Sequence, residues 1–312
     1  MLPTDEPFPT PGEAEALRAA LPPGIRFGTS SWTFPGWAGL LYGGRYPSKA
    51  NAAALLGQYA ACPLFGTVGI DSTYYRPLEP AQLEAYAAAL PPAFPCVSKV
   101  WNRITLHTAT VTAHGFTRGE RNPGFLDATL FLDAVAAPMA RHFRAHCGPL
   151  VFEFPWIPKG TGLGPERFAA ALDVFFSALP RELPYAVEVR NVEFLGAPYF
   201  AVLREHGVGH VFNAWTRMPR IGYQLELEDC VTAPFVVCRA LQRPGMTYEE
   251  GVEAFAPFDR LHAPDPDLRD DLVALAGRAV ALGLPAYIIV NNKAEGSAPL
   301  TVAAVARRIA RG

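Results

Sequence analysis

The sequence predicts an α/β fold, a single (β/α)8 barrel of the TIM type with long loops over the C-terminal face of the strands. Eight short apolar runs recur along the chain, and Ala/Leu-rich stretches with helical spacing lie between most of them, which is typical of a parallel sheet. Eight such units within about 290 residues suit a closed barrel better than a doubly wound sheet. No repeat or low-complexity segment divides the chain, so we expect one barrel domain over residues 25–312 after an N-terminal arm at residues 1–24.

The predicted strands are short runs rich in branched and aromatic residues. They lie at residues 25–29, 67–71, 94–100, 150–154, 185–189, 208–212, 235–239 and 286–290. The predicted helices between them lie at residues 49–61, 81–90, 126–146, 165–178, 198–205, 268–282 and 298–311. One helical turn is also expected within the arm, around residues 13–20.

Three segments lack a clear helical pattern. Residues 213–233, with Pro219 and Gly222, are predicted to be a loop, so the sixth unit would lack a proper covering helix. Residues 102–123 and 240–267 are long and contain Gly, Pro, His and aromatic residues. They are interpreted either as lids over the barrel mouth or as disordered loops.

Composition and charge disfavour several classes of partner. Lys and Arg total 27 and Asp and Glu total 29, so the net charge of −2 provides no general attraction for nucleic acid or an anionic membrane. No apolar run reaches the ~18 residues of a membrane helix, and the acidic start differs from a secretory signal, so we expect a cytoplasmic protein. Five cysteines without a Cys-x-x-Cys pair indicate neither a disulfide framework nor a zinc ribbon.

Every predicted strand ends in polar residues, and in this fold class the working groups sit at the carboxyl ends of the strands. The strand ends carry Ser30/Ser31, Asp71, Lys99, Glu153, Glu188 with Arg190, Asn213, Arg239 and Asn291/Asn292. The cations and anions among them balance, so the group is either a ligand site or a ring of structural salt bridges. Because buried ion pairs are a poor source of net stability, the functional interpretation is favoured.

Glu188, Glu153 and Lys99 are the candidate catalytic residues. Glu188 and Arg190 are two positions apart and share a strand face, so Arg190 either acts with Glu188 or merely neutralises it. Glu153 and Glu188 come from neighbouring strands, so one carboxyl could stay protonated as an acid while the other acts as a base. Lys99 could form a Schiff base, polarise a carbonyl, or pair with Asp71.

Other polar and aromatic residues are candidates for substrate binding. Arg190 or Arg239 would hold an anionic group on the substrate, because the last strands of such barrels commonly bind phosphate, and Asn291 and Asn292 would orient its hydroxyls. Asp71, Trp32, Tyr74 and His107 complete the set. The rings could stack on a sugar or base or pack in the core, and the histidine is either an acid/base group or a surface residue. No His and carboxylate group has convincing ligand spacing, so neither a metal nor a cofactor is predicted.

Several segments together resemble the uncharacterised family called domain of unknown function 72, or YecE-like. They include Gly28-Thr-Ser-Ser-Trp32, residues 67–76, 94–99, 148–155 and 185–190, and the Asn291-Asn292 pair with Gly296. Known members are TIM-type barrels, so the resemblance implies this fold over nearly the whole chain and no settled reaction. This chain departs from the family pattern at Gly69, Glu153 and Asn191, where the family usually has Glu, Gln and His. It also has Ala-Leu-Gln after Arg239 in place of the family's Leu-His-Gly.

The leading hypothesis is a cytoplasmic enzyme that uses acid/base chemistry on a small polar, anionic, sugar-like or phosphorylated substrate, as a hydrolase or an isomerase. In it, Glu188 and Glu153 exchange protons while Lys99 and Arg190 stabilise negative charge. A second hypothesis is a non-catalytic ligand-binding or interaction module. A third, a nucleic-acid-processing enzyme, is disfavoured by the near-neutral charge.

Overall fold

Eight parallel strands form a nearly closed barrel in this computed structural model, which describes residues 7–44, 46, 51–113, 115–243 and 245–311. The strands are β1 Ile25–Thr29, β2 Val68–Ile70, β3 Cys96–Lys99, β4 Cys147–Phe154, β5 Tyr185–Val189, β6 Gly209–Ala214, β7 Val236–Ala240 and β8 Ala286–Val290. Each pairs with its sequence neighbour from β2 to β8, and β8 returns to β1. The predicted (β/α)8 barrel is therefore confirmed, with each strand within a few residues of its predicted position.

The helices of the described residues lie between the strands. They are α1 Pro11–Ala20, α2 Ala52–Ala60, α3 Pro80–Ala89, α4 Asn102–Thr105, α5 Ala128–Phe131, α6 Ala137–His142, α7 Pro165–Ser177, α8 Ala197–His206, α9 Ile221–Leu225, α10 Tyr248–Phe255, α11 Pro266–Ala281 and α12 Ala298–Ala310. Residues 49 and 50 of the predicted second helix lie outside the described residues. None of the helices described is both long and apolar enough to cross a membrane.

Two predicted segments differ from the structure. The helix expected at 126–146 is interrupted by a π-helical stretch, Leu132–Ala136, just before Pro138, which has no N–H for an α-helical hydrogen bond. Residues 213–233 are not all loop, because α9 forms within them. The Gln224 side chain accepts from Asn213 N at 3.2 Å and donates to Asn213 O at 2.8 Å, a tertiary contact that sequence periodicity cannot reveal.

The barrel closes between β1 and β2 without a regular ladder. A Cβ added at Gly28 would lie 2.4 Å from Thr67 O, so the two backbones meet at a position that only glycine can occupy. The Tyr59 hydroxyl then bridges the strands, accepting from Thr29 N at 2.9 Å and donating to Thr67 O at 3.2 Å. A side chain from α2 thus supplies hydrogen bonds that the missing ladder would have made.

The barrel interior has an apolar layer below a polar layer. The apolar layer is a buried cluster of Val97, Val151, Ala186, Val211, Val237 and Ile289. Side chains two positions apart on a strand share a face, so the next inward residues lie nearer the carboxyl ends. Those residues are Lys99, Glu153, Glu188, Asn213, Arg239 and Asn291. The barrel interior therefore has a packed apolar layer with polar side chains on its carboxyl-terminal side.

Candidate functional site

The strand-end residues meet at the carboxyl end of the barrel. Strand register places Glu153 beside Glu188, and Asn213 beside Arg239. Lys99 reaches across to Glu153, with Nζ 2.6 Å from Oε2. We call this end of the barrel, with Asp71, Lys99, Glu153, Glu188, Arg190 and Arg239, the charged mouth. Its six charged side chains come from the ends of five strands, β2, β3, β4, β5 and β7, and share one opening, as the sequence predicts.

Arg239 lies at the centre of the charged mouth and is enclosed by three carboxylates. Nη2 donates to both oxygens of Asp71 at 3.0 and 2.8 Å, and Nη1 donates to Glu153 Oε2 at 3.0 Å and to Glu188 Oε2. Burial acts to lower the pKa of Arg239, but the three carboxylates raise it above its usual value. Both ends of the guanidinium fork are occupied by the protein, so the structure does not support the predicted contact between Arg239 and a substrate anion.

Glu153 contacts three cations of the mouth. Its oxygens lie 2.6 Å from Lys99 Nζ, 2.8 Å from Arg190 Nη2 and 3.0 Å from Arg239 Nη1. Burial acts to raise the pKa of Glu153, but Arg190, Lys99 and Arg239 together lower it below its ordinary value. Glu153 is therefore a carboxylate at neutral pH, and the predicted exchange of a proton between Glu153 and Glu188 is not supported for Glu153.

Glu188 and Arg190 contact each other, as expected for side chains that share a strand face. Glu188 is fully buried, and its Oε1 accepts from Arg190 Nε and Nη2, both at 3.4 Å. Arg190 also reaches Glu153, so it neutralises two carboxylates at once. The alternative pairing of Lys99 with Asp71 is wrong, because Lys99 contacts Glu153 while Asp71 faces Arg239.

Three cations at the carboxyl end of the barrel lie over aromatic rings. The pairs, with the distance from cation to ring centroid, are Lys99 Nζ with Tyr74 at 4.1 Å, Arg190 Cζ with Trp215 at 3.7 Å, and Lys293 Nζ with Tyr248 at 4.3 Å. An aromatic face attracts a cation through its quadrupole but carries no net charge. The rings therefore hold these cations in place without neutralising them.

Tyr74 reaches the mouth through a 3-10 turn, Asp71–Tyr74, which directly follows β2 and also delivers Asp71. Burial, and then the nearby Glu153 carboxylate, raise the pKa of Tyr74, so its hydroxyl stays protonated. The ring face predicted to stack on a substrate carries Lys99 instead. Tyr74 is thus a support for the lysine.

Lys293 and Trp215 belong to the mouth but were not among the predicted site residues. The buried Lys293 amine donates to Asn291 Oδ1 at 2.9 Å. Burial lowers the pKa of Lys293 to about 8, and the positive charges of Lys99, Arg239 and Arg190 add to this while Asp71 opposes it. Trp215 directly follows β6 and Lys293 comes three residues after the end of β8, and this closeness to strand ends was the signal available in the sequence.

Asn291 and Asn292 have different roles, although they are adjacent. Asn291 Oδ1 accepts from the backbone N of Lys293 at 3.0 Å as well as from its amine, so it positions Lys293. Asn292 is buried, and its Oδ1 accepts from Ala298 N at 2.8 Å at the start of α12. Asn292 therefore holds a helix, and its predicted contact with substrate hydroxyls is not supported.

Trp32 and His107 make structural contacts. Trp32 is buried in the core, donates from Nε1 to Ala52 O at 2.7 Å and packs edge-on against Tyr86. The His107 ring nitrogens lie 3.0 Å from Thr108 Oγ1 and 3.1 Å from Arg121 Nη2, within the loop that follows α4. Burial, with the Arg121 charge, lowers the pKa of His107. The predicted substrate contacts of both residues lack support in this arrangement.

The sequence profile described as "Protein of unknown function DUF72" matches residues 26–312. The chain belongs to the DUF72 family. A DUF72 family protein from Enterococcus faecalis V583 is 18% identical, with a TM-score of 0.59, and the match covers 92% of this chain and 96% of that chain. A DUF72 family protein from Thermotoga maritima MSB8 is 17% identical, with a TM-score of 0.59 and coverage of 92% and 98%. At these identities the likeness shows a shared fold. The comparison with curated proteins gave no significant match.

Gly69 and Asn191 have structural roles near the strand ends. A Cβ at Gly69 would lie 3.0 Å from Ser30 Cα, so β2 approaches β1 closely at this position. Asn191 accepts from Ile157 N at 2.8 Å and donates to Ile157 O at 2.9 Å, which ties the segment after β4 to the end of β5. Both positions serve barrel closure and loop packing in this DUF72 member.

The carboxylates of the mouth converge on an arginine. Within the described part of the chain, no group of three or more His, Cys, Asp or Glu residues is arranged to hold a metal ion. Asp71, Glu153 and Glu188 instead surround the Arg239 guanidinium. The chemistry that this arrangement offers is charge stabilisation by cations and proton transfer at the Lys293 amine.

Proposed function

We propose that this DUF72 protein is an enzyme that binds a small anionic molecule at the charged mouth and moves a proton on it. The observation that carries the proposal is the set of three cations, Lys99, Arg190 and Lys293, each held on an aromatic ring. Arg239 holds the carboxylates together beneath them. The cations bind and stabilise negative charge, and Lys293 exchanges the proton.

The charge of the mouth favours an anionic ligand. Lys293 adds a fourth cation to the three that balance Asp71, Glu153 and Glu188, so the mouth carries an excess of one positive charge when Lys293 is protonated. The Lys99 and Arg190 side chains are 10% and 14% exposed, which leaves part of each accessible from solvent. A planar guanidinium with an accessible edge is well suited to a carboxylate or phosphate.

The titration of Lys293 favours acid/base chemistry. An acid/base group works best when its pKa lies close to the working pH, and burial lowers the pKa of Lys293 to about 8. The neighbouring cations could stabilise an oxyanion that forms when a proton leaves a carbon next to a carbonyl. Glycoside hydrolysis needs a protonated carboxyl beside a carboxylate. Arg190 and Arg239 hold both Glu153 and Glu188 in ion pairs, so neither carboxyl is free to protonate a leaving group, and isomerisation by proton transfer is favoured over that hydrolysis.

Binding is tested first, by calorimetry with inorganic phosphate and a panel of small carboxylates. We expect at least one anion to bind, and Arg190→Met to weaken its binding by 10-fold or more because a charge-assisted contact is lost. Arg204→Met is the matched control, since Arg204 forms an exposed pair with Asp229 outside the mouth. If no anion binds, or if both variants bind equally well, the proposed site is wrong.

Proton transfer is tested by exchange in D2O. Small anionic ketones and aldehydes are incubated with the protein, and the loss of C–H signals next to the carbonyl is followed by proton NMR. We expect exchange with the wild-type protein and at least a 100-fold slower rate with Lys293→Met. Equal exchange in both would exclude Lys293 as the proton-transfer group.

A binding protein without turnover is the second candidate. Its supporting observation is that Asp71, Glu153 and Glu188 all pair with cations of the protein, as in a fixed receptor for an anion. Anion binding that depends on Arg190, without proton exchange on any bound carbonyl compound, would favour this function.

A further inference from the structure

We propose that Lys293 forms a Schiff base with the carbonyl carbon of its substrate, which would be a small aldehyde or ketone bearing a carboxylate or phosphate. This inference rests on the proposed function and names its substrate class and covalent step. The Lys293 amine is buried at the end of β8, beside cations that can hold the anionic group of such a molecule. Its contacts, its neighbouring charges and the packing of its stem each support the step.

The immediate contacts leave the amine available for attack. Lys293 Nζ donates to the amide oxygen Asn291 Oδ1 at 2.9 Å and lies 4.3 Å from the Tyr248 ring centroid. None of the ion pairs between described residues includes Lys293. Lys99, for which the sequence left a Schiff base open, lies 2.6 Å from Glu153 Oε2, so its amine is engaged in an ion pair. Lys293 is thus the better nucleophile of the two lysines.

The charges that face Lys293 come from several strands. Lys99 on β3, Arg190 after β5 and Arg239 on β7 disfavour its protonated form, while Asp71 after β2 favours it. With burial included, its pKa is about 8, so roughly a tenth of the amine is neutral at pH 7. Lysines that form Schiff bases are activated in this way, by desolvation or by a neighbouring cation.

Helix α10 fixes the stem of Lys293. A Cβ added at Gly251 would lie 3.2 Å from Lys293 Cδ and 3.3 Å from Cγ, so the helix backbone packs directly on the methylene chain. Tyr248, from the same helix, covers the amine. The nucleophile is therefore held between β8 and α10, which lowers the entropy cost of reaching a reactive geometry.

The step balances without an oxidant or a reductant. The lone pair of the neutral Lys293 amine forms a bond to the carbonyl carbon, the C=O pair moves to oxygen, and one of the two amine protons is transferred from nitrogen to that oxygen. The carbinolamine then loses water and forms the C=N bond, and the imine nitrogen can regain a proton. Lys99 and Arg190 would hold the carboxylate or phosphate of the substrate during these steps. The amine that exchanges protons in the proposed function thus also forms the covalent bond to the carbonyl carbon.

Reductive trapping tests the step. The full chain is incubated at pH 8 with glyoxylate or pyruvate and sodium cyanoborohydride, and the labelled residue is found by peptide mass mapping. The sequence has four lysines, Lys49, Lys99, Lys159 and Lys293, so the assignment is unambiguous. We expect at least 10-fold more label on Lys293 than on the exposed Lys159. Lys159→Met should keep the label, and Lys293→Arg should lose it.

The variants separate this inference from the proposed function. Phosphate binding by the wild-type protein is measured beside the labelling, and Lys293→Arg, which cannot form an imine, should take no label at residue 293. Label spread evenly over the lysines and the amino terminus, or absent from Lys293 while phosphate binds, would overturn the Schiff base alone. Absence of both phosphate binding and label would overturn both proposals.

Discussion

Asp71 and Arg239 are joined by two hydrogen bonds of 3.0 and 2.8 Å, although they lie 168 positions apart in the chain. The same guanidinium contacts Glu153 and Glu188, whose side chains are almost fully buried. One arginine therefore ties the turn after β2 to β4, β5 and β7. Arg239 is therefore expected to stabilise the fold below the candidate site. The more accessible cations Lys99 and Arg190 are the candidates for binding.

Replacing Arg239 should strongly destabilise the fold. Arg239→Met removes the cation shared by three carboxylates and leaves Glu153 and Glu188 with less compensation for their burial. We expect the free energy of unfolding to fall by about 3–5 kcal/mol, as measured by urea denaturation. Arg204→Met, which breaks an exposed pair with Asp229, should cost about 1 kcal/mol or less. Similar losses in the two variants would contradict a central role for Arg239.

The positions of the charged residues could be predicted from the sequence, but their partners could not. Strand alternation and the common direction of the strands are enough to bring Lys99, Glu188 and Arg239 to one opening. The choice between Asp71 and Glu153 as the partner of Lys99 depends on register. The register between β3 and β4 shifts between Cys96 and Ser98, and Gly148 and Pro149 in β4 indicate an irregularity there without fixing the register that results.

Residues just beyond the strand ends were harder to place. Trp32 and Trp215 both follow a strand closely, yet Trp32 is buried in the core while Trp215 lies under Arg190 at the mouth. Lys293 lies in a turn after β8 that Asn291 stabilises through its side chain. The path of the chain after a strand depends on contacts with other loops, and periodicity within the strand does not contain that information.

The close approach of β1 and β2 should make Gly28 sensitive to substitution. In Gly28→Ala, the added methyl group would meet the Thr67 backbone, with O at 2.4 Å and C at 2.8 Å, and a backbone must move. We expect a loss of about 2–3 kcal/mol of stability, from chemical denaturation. Gly277→Ala on the exposed side of α11 meets nothing within 4 Å and should stabilise the protein by about 0.5–1 kcal/mol. A Gly28→Ala variant with unchanged stability would mean that β1 and β2 do not approach each other this closely.

Glu153 should make the stability depend on acid pH. Its pKa in the folded protein lies below the ordinary value of 4.5, because the cations around it outweigh the effect of burial. Its stabilising contribution is therefore complete above pH 4.5 and is lost as the pH falls towards the folded pKa. We expect Glu153→Gln to lower the free energy of unfolding by about 3–5 kcal/mol at pH 7, and by progressively less below pH 4.5. A difference that does not change with pH would show that Glu153 contributes by packing alone.

Lys293 should lower the stability at neutral pH, whereas Glu153 raises it, because Lys293 is a base whose pKa is lowered on folding. Below pH 8 the folded state must hold the proton at a site that disfavours it, whereas the unfolded lysine has a pKa near 10.5. The difference corresponds to about 3 kcal/mol of destabilisation, which disappears as the pH rises from about 8 to 10.5. Lys293→Met keeps the stem that packs on Gly251 and should be more stable than the wild type at pH 7, by up to this amount.

The measurement is urea denaturation of the wild type and Lys293→Met at intervals between pH 6 and pH 10. The advantage of the variant should be constant below about pH 8 and then shrink, since only the wild type gains stability as the amine loses its proton. Lys159→Met, at an exposed lysine, controls for a general effect of removing a positive charge. A variant less stable than the wild type at pH 7 would mean that the contacts with Asn291 and Tyr248 outweigh burial, which would remove the physical basis for a reactive amine at Lys293.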